Sequence, residues 1–436
     1  MLWNSISKTD VCLSQKPCVV KRPLILFGVM ISLFFGIGLT SGVSLCAHDA
    51  EFADEILFED EEVLDIARGN AGDNSGLRLV AKTSHGALAK LDGVRTVLVV
   101  EGTPEEMGAA HGELMKNDII AMKTRLYAAG RAATIAMKEN VFEQIDEAIE
   151  RTRPFTPQRF YDEIDAMADV TGLDRDDVRR LNNFPELFHC SGVGLRGKAT
   201  KDGRVLHVRV LDYMRDIGLQ ENSTIIVYIP EEFNAWISVS YAGFVGTVTA
   251  MNEKGLAIGE MGGAGEGKWD GLPMAFMMRR VMEECSTVDE AIELMKSVPL
   301  TCDYYYVLSD ASGNLAAVEA IAESETPVLV LYPGEENERL PGALDDVVYI
   351  SGGERAQHLY ERLRDNYGKI DVETLQEMIK RPVAMNSNLH DVIFAPETLE
   401  LWHAEAGITT PACDEPYSHI SLSAILDFYR MEQNRK

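Results

Sequence analysis

Residues 188–213 read FHCSGVGLRGKATKDGRVLHVRVLDY, and this stretch decides the fold. Two β-type runs flank Lys201-Asp202-Gly203, a turn signal that joins antiparallel strands. The first run begins at Cys190, so its thiol heads a strand. A tight turn at Asp202-Gly203 places Cys190 opposite about Arg215. Asp212 then lies three positions down, roughly 10 Å along the strand at ~3.3 Å per residue. Arg209 and Asp212 form R-x-x-D on the return strand. An arginine beside a thiol favours the thiolate, and an aspartate can hold an ammonium group by a charge-assisted hydrogen bond. Taken alone, the same residues also suit an inert buried cysteine and an ordinary exposed ion pair.

A cysteine at the head of a strand has one further chemistry open to it. Breaking the 189–190 bond makes Cys190 an N-terminus. Its α-amine, of ordinary pKa about 8, can then deprotonate its own side chain. Release needs only the thiol: it attacks the His189 carbonyl, an N-to-S acyl shift gives a thioester, and water completes the cleavage.

Upstream of Cys190 the pattern is helical. A short strand at Thr96–Val100 leads to Thr103-Pro104-Glu105-Glu106, a capping Thr with Pro at the first helical position and acid in the first turn. The helix runs through GAAHGELMKNDIIAMKTRLYAAG, with more helical pattern near 140–150 and 157–186. Downstream, short strands alternate with Asn, Gly or Asp bends. Helical pattern interrupts at 272–297 and 353–380, and strand character returns at 383–405. The class is α+β: antiparallel sheets in a layered sandwich flanked by helices, with an N-terminal helical segment. The expected domains are a leader or anchor (1–47), an acidic linker (48–92), a helical N-terminal region (93–189) and the catalytic region (190–436).

The chain has 436 residues, is 46% hydrophobic and carries net charge −28. Residues 1–47 hold four cations and one anion, so 37 basic and 68 acidic residues remain beyond them. Such a surface repels phosphate backbones, and nucleic acid is not an expected partner. Lys21-Arg22 precede an uncharged apolar run, Pro23–Leu45, which predicts export by either a cleaved signal or a retained membrane anchor. Of seven cysteines, Cys190, Cys285, Cys302 and Cys413 lie in the body. They allow two disulfides, or one free thiol with three others, and their spacing fits no zinc pattern. No cofactor is expected. The string GGAGEGK at 262–268 has Trp269 where a phosphate loop needs Ser or Thr. His111, His207 and His390 stand singly and read as structural.

The ordered motifs carry a resemblance. EGTPEEMGAAHGEL (101–114), HCSGVG (189–194), RVLDY (209–213), MNEKGLAIGEMGG (251–263), SDASGNLAAVEA (309–320) and NLHDVIFAPETLELW (388–402) resemble, in order, the acyl-CoA:6-aminopenicillanic-acid acyltransferase family, the C45 peptidases. The choloylglycine hydrolases are wider relatives. The resemblance implies a four-layer αββα sandwich of the N-terminal-nucleophile (Ntn) hydrolase type, self-cleavage before Cys190, and hydrolysis or acyl transfer at an N-acyl amide bond of a small molecule. By position, Cys190 looks like the nucleophile, with Arg209 and Asp212 as its ionic partners. Three positions depart from the pattern. Gly262 stands where choloylglycine hydrolases place an oxyanion-hole asparagine; Ser351, Gly352 and Gly353 replace an Asn-rich segment; His189 replaces a glycine. Backbone N–H groups of the 259–265 loop can substitute for a lost amide. The missing asparagines motivate a rival reading, a non-catalytic exported binding or scaffold module on the same fold.

Overall fold

A computed structural model of the chain describes residues 76–183, 189–213, 215–262, 268–335 and 343–435. It opens on β1 (Leu77–Lys82), β2 (Gly86–Leu91) and β3 (Arg95–Gly102). Helices α1 (Pro104–Leu114), α2 (Lys116–Met137), α3 (Val141–Thr152), α4 (Gln158–Thr171) and α5 (Arg175–Asn183) follow. Next come β4 (His189–Leu195), β5 (Leu206–Asp212), β6 (Ser223–Pro230), β7 (Trp236–Tyr241), β8 (Thr249–Asn252) and β9 (Ala257–Gly262). Helices α6 (Met274–Glu284) and α7 (Val288–Ser297) precede β10 (Asp303–Ser309), β11 (Leu315–Ile321), β12 (Val328–Leu331) and β13 (Val347–Ile350). The chain ends on α8 (Gly353–Asp365), α9 (Val372–Met378), β14 (Asn388–Ala395), β15 (Glu400–Glu405), β16 (Ser418–Ser421) and α10 (Leu422–Asn434).

The strands form two sheets. One has ten strands in the order β1-β2-β3-β6-β7-β8-β9-β10-β11-β12, the other six in the order β13-β4-β5-β14-β15-β16. Side chains alternate between faces along each strand, and the apolar clusters follow that alternation. Val97, Val99, Ile237 and Met251 of the larger sheet pack on Val392, Phe394 and Leu401 of the smaller. The smaller sheet's outer face packs Val193, Val208 and Val210 on Leu359 and Leu363 of α8 and Leu375 of α9. The larger sheet's outer face packs Leu98, Tyr228 and Trp236 against α1, α4 and α6 through Met107, Phe160 and Met277. Helices, sheet, sheet, helices: this is the expected αββα sandwich.

Local chemistry explains why these elements stop where they do. Thr103 caps α1 in a capping box with Glu106. In the NEKGL turn, the Asn252 side-chain oxygen accepts from the N–H groups of Lys254 (3.1 Å) and Leu256 (3.0 Å), while its amide donates to the carbonyls of Met282 and Cys285. That turn therefore ties the β8–β9 hairpin to α6. In SDASGNL, Asp310 accepts from the N–H groups of Ser312 and Asn314 and shapes the β10–β11 turn. Glu163 of α4, Arg279 of α6 and Glu283 form a buried ion cluster, with Arg279 donating at 2.6 and 2.7 Å. It joins the helices before Cys190 to the body after it.

The structure corrects several expectations. Strands β1 and β2 lie within 48–92, expected as a linker, because the acidic composition ends near Asp73 and residues 77–91 pair antiparallel at the edge of the larger sheet. The long first helix breaks at Met115 into α1 and α2. All four body cysteines are buried free thiols, so the two-disulfide arrangement does not form. The β4–β5 connection is not a tight turn at Asp202-Gly203. Leu195 pairs with Leu206, and the ten intervening residues hold a short 3-10 helix at Gly197–Ala199. The register shifts accordingly, and Cys190 lies opposite Leu211 rather than Arg215. The run Pro23–Leu45 lies outside the described residues. No helix among the described residues is long and apolar enough to cross a membrane.

Candidate active site

The register puts Asp212 opposite His189, beside the 189–190 bond, and Arg209 opposite Gly192. Facing residues of an antiparallel pair point to the same side. Cys190, Gly192 and Arg209 therefore face the larger sheet. Asp212, an odd number of residues from Arg209, faces the opposite way, under α8. The two members of R-x-x-D thus flank the strand from both sides and are not each other's partner.

Arg209 is fully buried. It donates to the Glu260 carboxylate at 3.3 Å and to the Val210 carbonyl at 2.6 Å. Room for its stem comes from Gly259, where a Cβ would meet Arg209 Cδ at 2.7 Å. Gly192 serves the same close approach, since a Cβ there would meet Met261 Sδ at 2.8 Å. The glycines of HCSGVG and GLAIGEM thus let the sheets close over a charged side chain.

Asp212 accepts from Arg355 Nη2 of α8 at 2.6 Å and from the Met385 N–H at 2.9 Å. Arg355 also donates to Ser191 Oγ at 2.9 Å and to the Val383 carbonyl at 2.7 Å. Ser191 Oγ lies 2.7 Å from Ser351 Oγ. A cavity of about 290 Å³ opens beside the thiol, lined by Cys190, Met261, Tyr305, Glu319, Ser351 and Arg355, with Gly262, Gly352 and Gly353 on its wall.

Burial dominates the electrostatics. It pushes the Cys190 thiol up to about 11; Arg209 pulls it down, as the sequence suggests, but does not prevail, and Glu260 adds to the rise. Burial also lifts Glu260 to about 7 against the pull of Arg209, and Asp212 to about 6 against the pull of Arg355. The histidines are structural. His111 accepts from the Gly243 N–H at 3.0 Å, His207 meets Ser309, and His390 bridges Tyr241 and Thr249. Among the described residues no group of His, Cys, Asp and Glu is gathered to hold a metal.

Sequence reasoning named Cys190, Arg209 and Asp212, and the structure brings all three together. It missed Glu260 and Arg355, which carry the counter-charges. Glu260 was hidden in a strand motif and Arg355 in a helix, and no spacing rule links either to R-x-x-D.

Proteins similar to this chain include acyl-transferring and amide-hydrolysing enzymes. The model of the acyl-coenzyme A:6-aminopenicillanic acid acyl-transferase family matches residues 199–333, which take in R-x-x-D, NEKGL and SDASGNL. The chain is 27% identical over 344 residues to protein dcd1A of Dictyostelium discoideum, covering 68% of this chain and 76% of that protein. It is 26% identical over 222 residues to acid ceramidase of Rattus norvegicus, covering 44% of this chain and 55% of that enzyme. A solved Caenorhabditis elegans N-acylethanolamine-hydrolyzing acid amidase ortholog aligns at 14% identity with TM-score 0.38, covering 48% of this chain and 93% of that one.

Proposed function

We infer that this chain is an exported, self-processing cysteine amidohydrolase or acyltransferase, with Cys190 as its N-terminal nucleophile. One observation carries the reading: the Cys190 thiol opens onto a cavity, with a buried guanidinium on its own face and the Asp212 carboxylate beside the 189–190 bond. In the uncleaved chain residue 190 has an amide nitrogen, which is no base, and burial holds the thiol protonated at neutral pH. Cleavage supplies the missing base. Sγ attacks the His189 carbonyl, the C–N bond breaks as C–S forms, and the nitrogen takes up a proton to become the α-amine. Water then resolves the thioester to a carboxylate and a free thiol.

Turnover follows the same bond changes. The α-amine takes the thiol proton, Sγ attacks the substrate carbonyl, and the amide C–N bond breaks. The ammonium returns the proton to the departing amine, and water or a second amine takes the acyl group from sulfur. Met261, Ala317, Leu331 and Ile350 give the cavity apolar walls suited to an acyl group, while Glu319 and Arg355 offer polar contacts. The substrate class is a small N-acyl amide. Export rests on Pro23–Leu45 and its basic flank; recovery of the full-length chain in the soluble cytosolic fraction of its native cell would refute it.

Intact mass and N-terminal sequencing test the central claim. Two fragments are expected, one beginning at Cys190, with neither cleavage nor N-acyl amide turnover in Cys190→Ala. A single chain whose turnover survives Cys190→Ala would overturn the reading.

A further inference from the structure

A directed chain of hydrogen bonds ends on the wall of the cavity that Cys190 also lines. Arg355 can only donate. Its guanidinium gives one N–H to Asp212 at 2.6 Å and another to Ser191 Oγ at 2.9 Å. Ser191 is 1% exposed and meets one other hydroxyl, Ser351 Oγ, at 2.7 Å. Either serine could donate in that contact, but the choice is not neutral. Were Ser351 the donor, Ser191 would accept twice and its own buried proton would lack an acceptor among the described residues, an arrangement with a desolvation penalty. With Ser191 as donor its hydroxyl both accepts and donates, and the Ser351 proton is left over. Ser351 is partly exposed and lines the cavity with Cys190, so that proton faces the reacting centre.

We propose that Ser351 is a catalytic residue, its hydroxyl donating to the oxyanion formed when the Cys190 sulfur adds to an acyl carbonyl, and that Ser191 is the positioning residue that turns this proton into the cavity. The inference rests on Cys190 being the nucleophile. It explains how the site works where the wider family's asparagines are replaced. A cationic donor at the head of the chain polarises each hydroxyl toward the next, so Ser351 is a stronger donor than an isolated serine. The bond changes are those of acylation: C–S forms, the carbonyl π pair moves onto oxygen, and Ser351 donates to that oxygen without losing its proton. Collapse restores the carbonyl and expels the leaving group.

Two probes on the processed protein separate this role from simple packing. p-Nitrophenyl acetate acylates the thiol through an oxyanion, whereas iodoacetamide alkylates it by direct displacement without one. In Ser351→Ala the acylation rate should fall about 100- to 1,000-fold, as when a single oxyanion donor is removed. The alkylation rate should stay within about threefold of the parent, on the order of measurement scatter. Ser351→Thr keeps the hydroxyl and should restore acylation, and Ser191→Ala should lose on the order of tenfold because the Ser351 proton is no longer directed. Acylation unchanged in Ser351→Ala, or alkylation falling in parallel with it, would overturn the proposal. Loss of the nucleophile reading looks different: Cys190→Ala would then release nitrophenolate as fast as the parent.

Discussion

Asp212→Asn distinguishes a charge that serves chemistry from one that holds the fold, and the structure changes what should be expected of it. As an isosteric change it would by itself leave the melting temperature within a few degrees, while loss of the charge lowers self-cleavage or turnover on the order of a hundredfold. The geometry adds a second cost. Both carboxylate oxygens accept, one from Arg355 Nη2 at 2.6 Å and one from the Met385 N–H at 2.9 Å. An asparagine has one oxygen, so in either rotamer its NH₂ faces a donor. Arg355 also keeps its charge with no counter-ion among the described residues, on a side chain that is 16% exposed. Breaking one partner of a fully buried pair costs roughly 3–5 kcal/mol; the residual exposure of Arg355 brings the expectation to about 2–4 kcal/mol. In a chain of this size that lowers Tm on the order of 5 °C.

The assay reads three quantities on the same preparation: Tm by circular dichroism, the fraction of chains beginning at Cys190 by mass spectrometry, and nitrophenolate release per folded molecule. The expected pattern is loss of all three, with turnover per folded molecule falling far more than the folded fraction. A variant that unfolds earlier yet cleaves and turns over normally would make Asp212 a structural anchor only. A variant with unchanged Tm would refute the Arg355 pairing described here.

Other consequences follow from the same geometry. Glu260→Gln removes the anion that raises the Cys190 thiol while leaving the Arg209 cation, so the pH profile of thiol alkylation should move to lower pH; an unmoved or raised profile contradicts the charge assignment. Gly259→Ala places a Cβ 2.7 Å from Arg209 Cδ and should cost about 1–3 kcal/mol with loss of acylation, whereas Gly192→Ala meets the flexible Met261 and should be milder; equal effects in thermal melts would count against this packing. Stability should fall between about pH 6.5 and pH 8. Asp391 and Glu405 are raised to about 8 in the fold, so the folded chain binds more protons than the unfolded one across that window, while the buried histidines, lowered in the fold, oppose them only below their unfolded value of 6.5; a Tm that rises from pH 6.5 to 8 would refute this.

Much of the fold was legible because its signals are local. Thr103-Pro104 starts α1, and Asn252 and Asp310 bend their own turns, each acting on backbone a few residues away. What escaped were the pairings set by tertiary contact. β1 and β2 sit in a segment whose composition was read as linker, and they are strands because β3 offers an edge to pair with. The β4–β5 register could not be read from Asp202-Gly203 because Asp346, far along the chain, holds the connection: its carboxylate accepts from the Lys198 N–H at 3.1 Å and pairs with Arg196. A four-residue difference in one register moves Asp212 from a distant rung to the rung beside the 189–190 bond.

That rung is where the site's logic lies. A spacing of three in a strand forces Arg209 and Asp212 onto opposite faces, so the motif cannot be an ion pair within one layer. Each instead meets a counter-charge from a different layer: Glu260 from the facing sheet, Arg355 from the covering helix. The strand head carrying Cys190 is thereby clamped from both sides, with a cation at each face of the strand, and burial keeps the thiol protonated against the pull of Arg209. An uncleaved thiol near 11 is almost wholly un-ionised at neutral pH, by roughly four orders of magnitude, and Arg209 is already included in that balance. The deficit is one of proton acceptance rather than of positive charge, and this is what favours the proposal that an α-amine released at residue 190, and not another cation, completes the site.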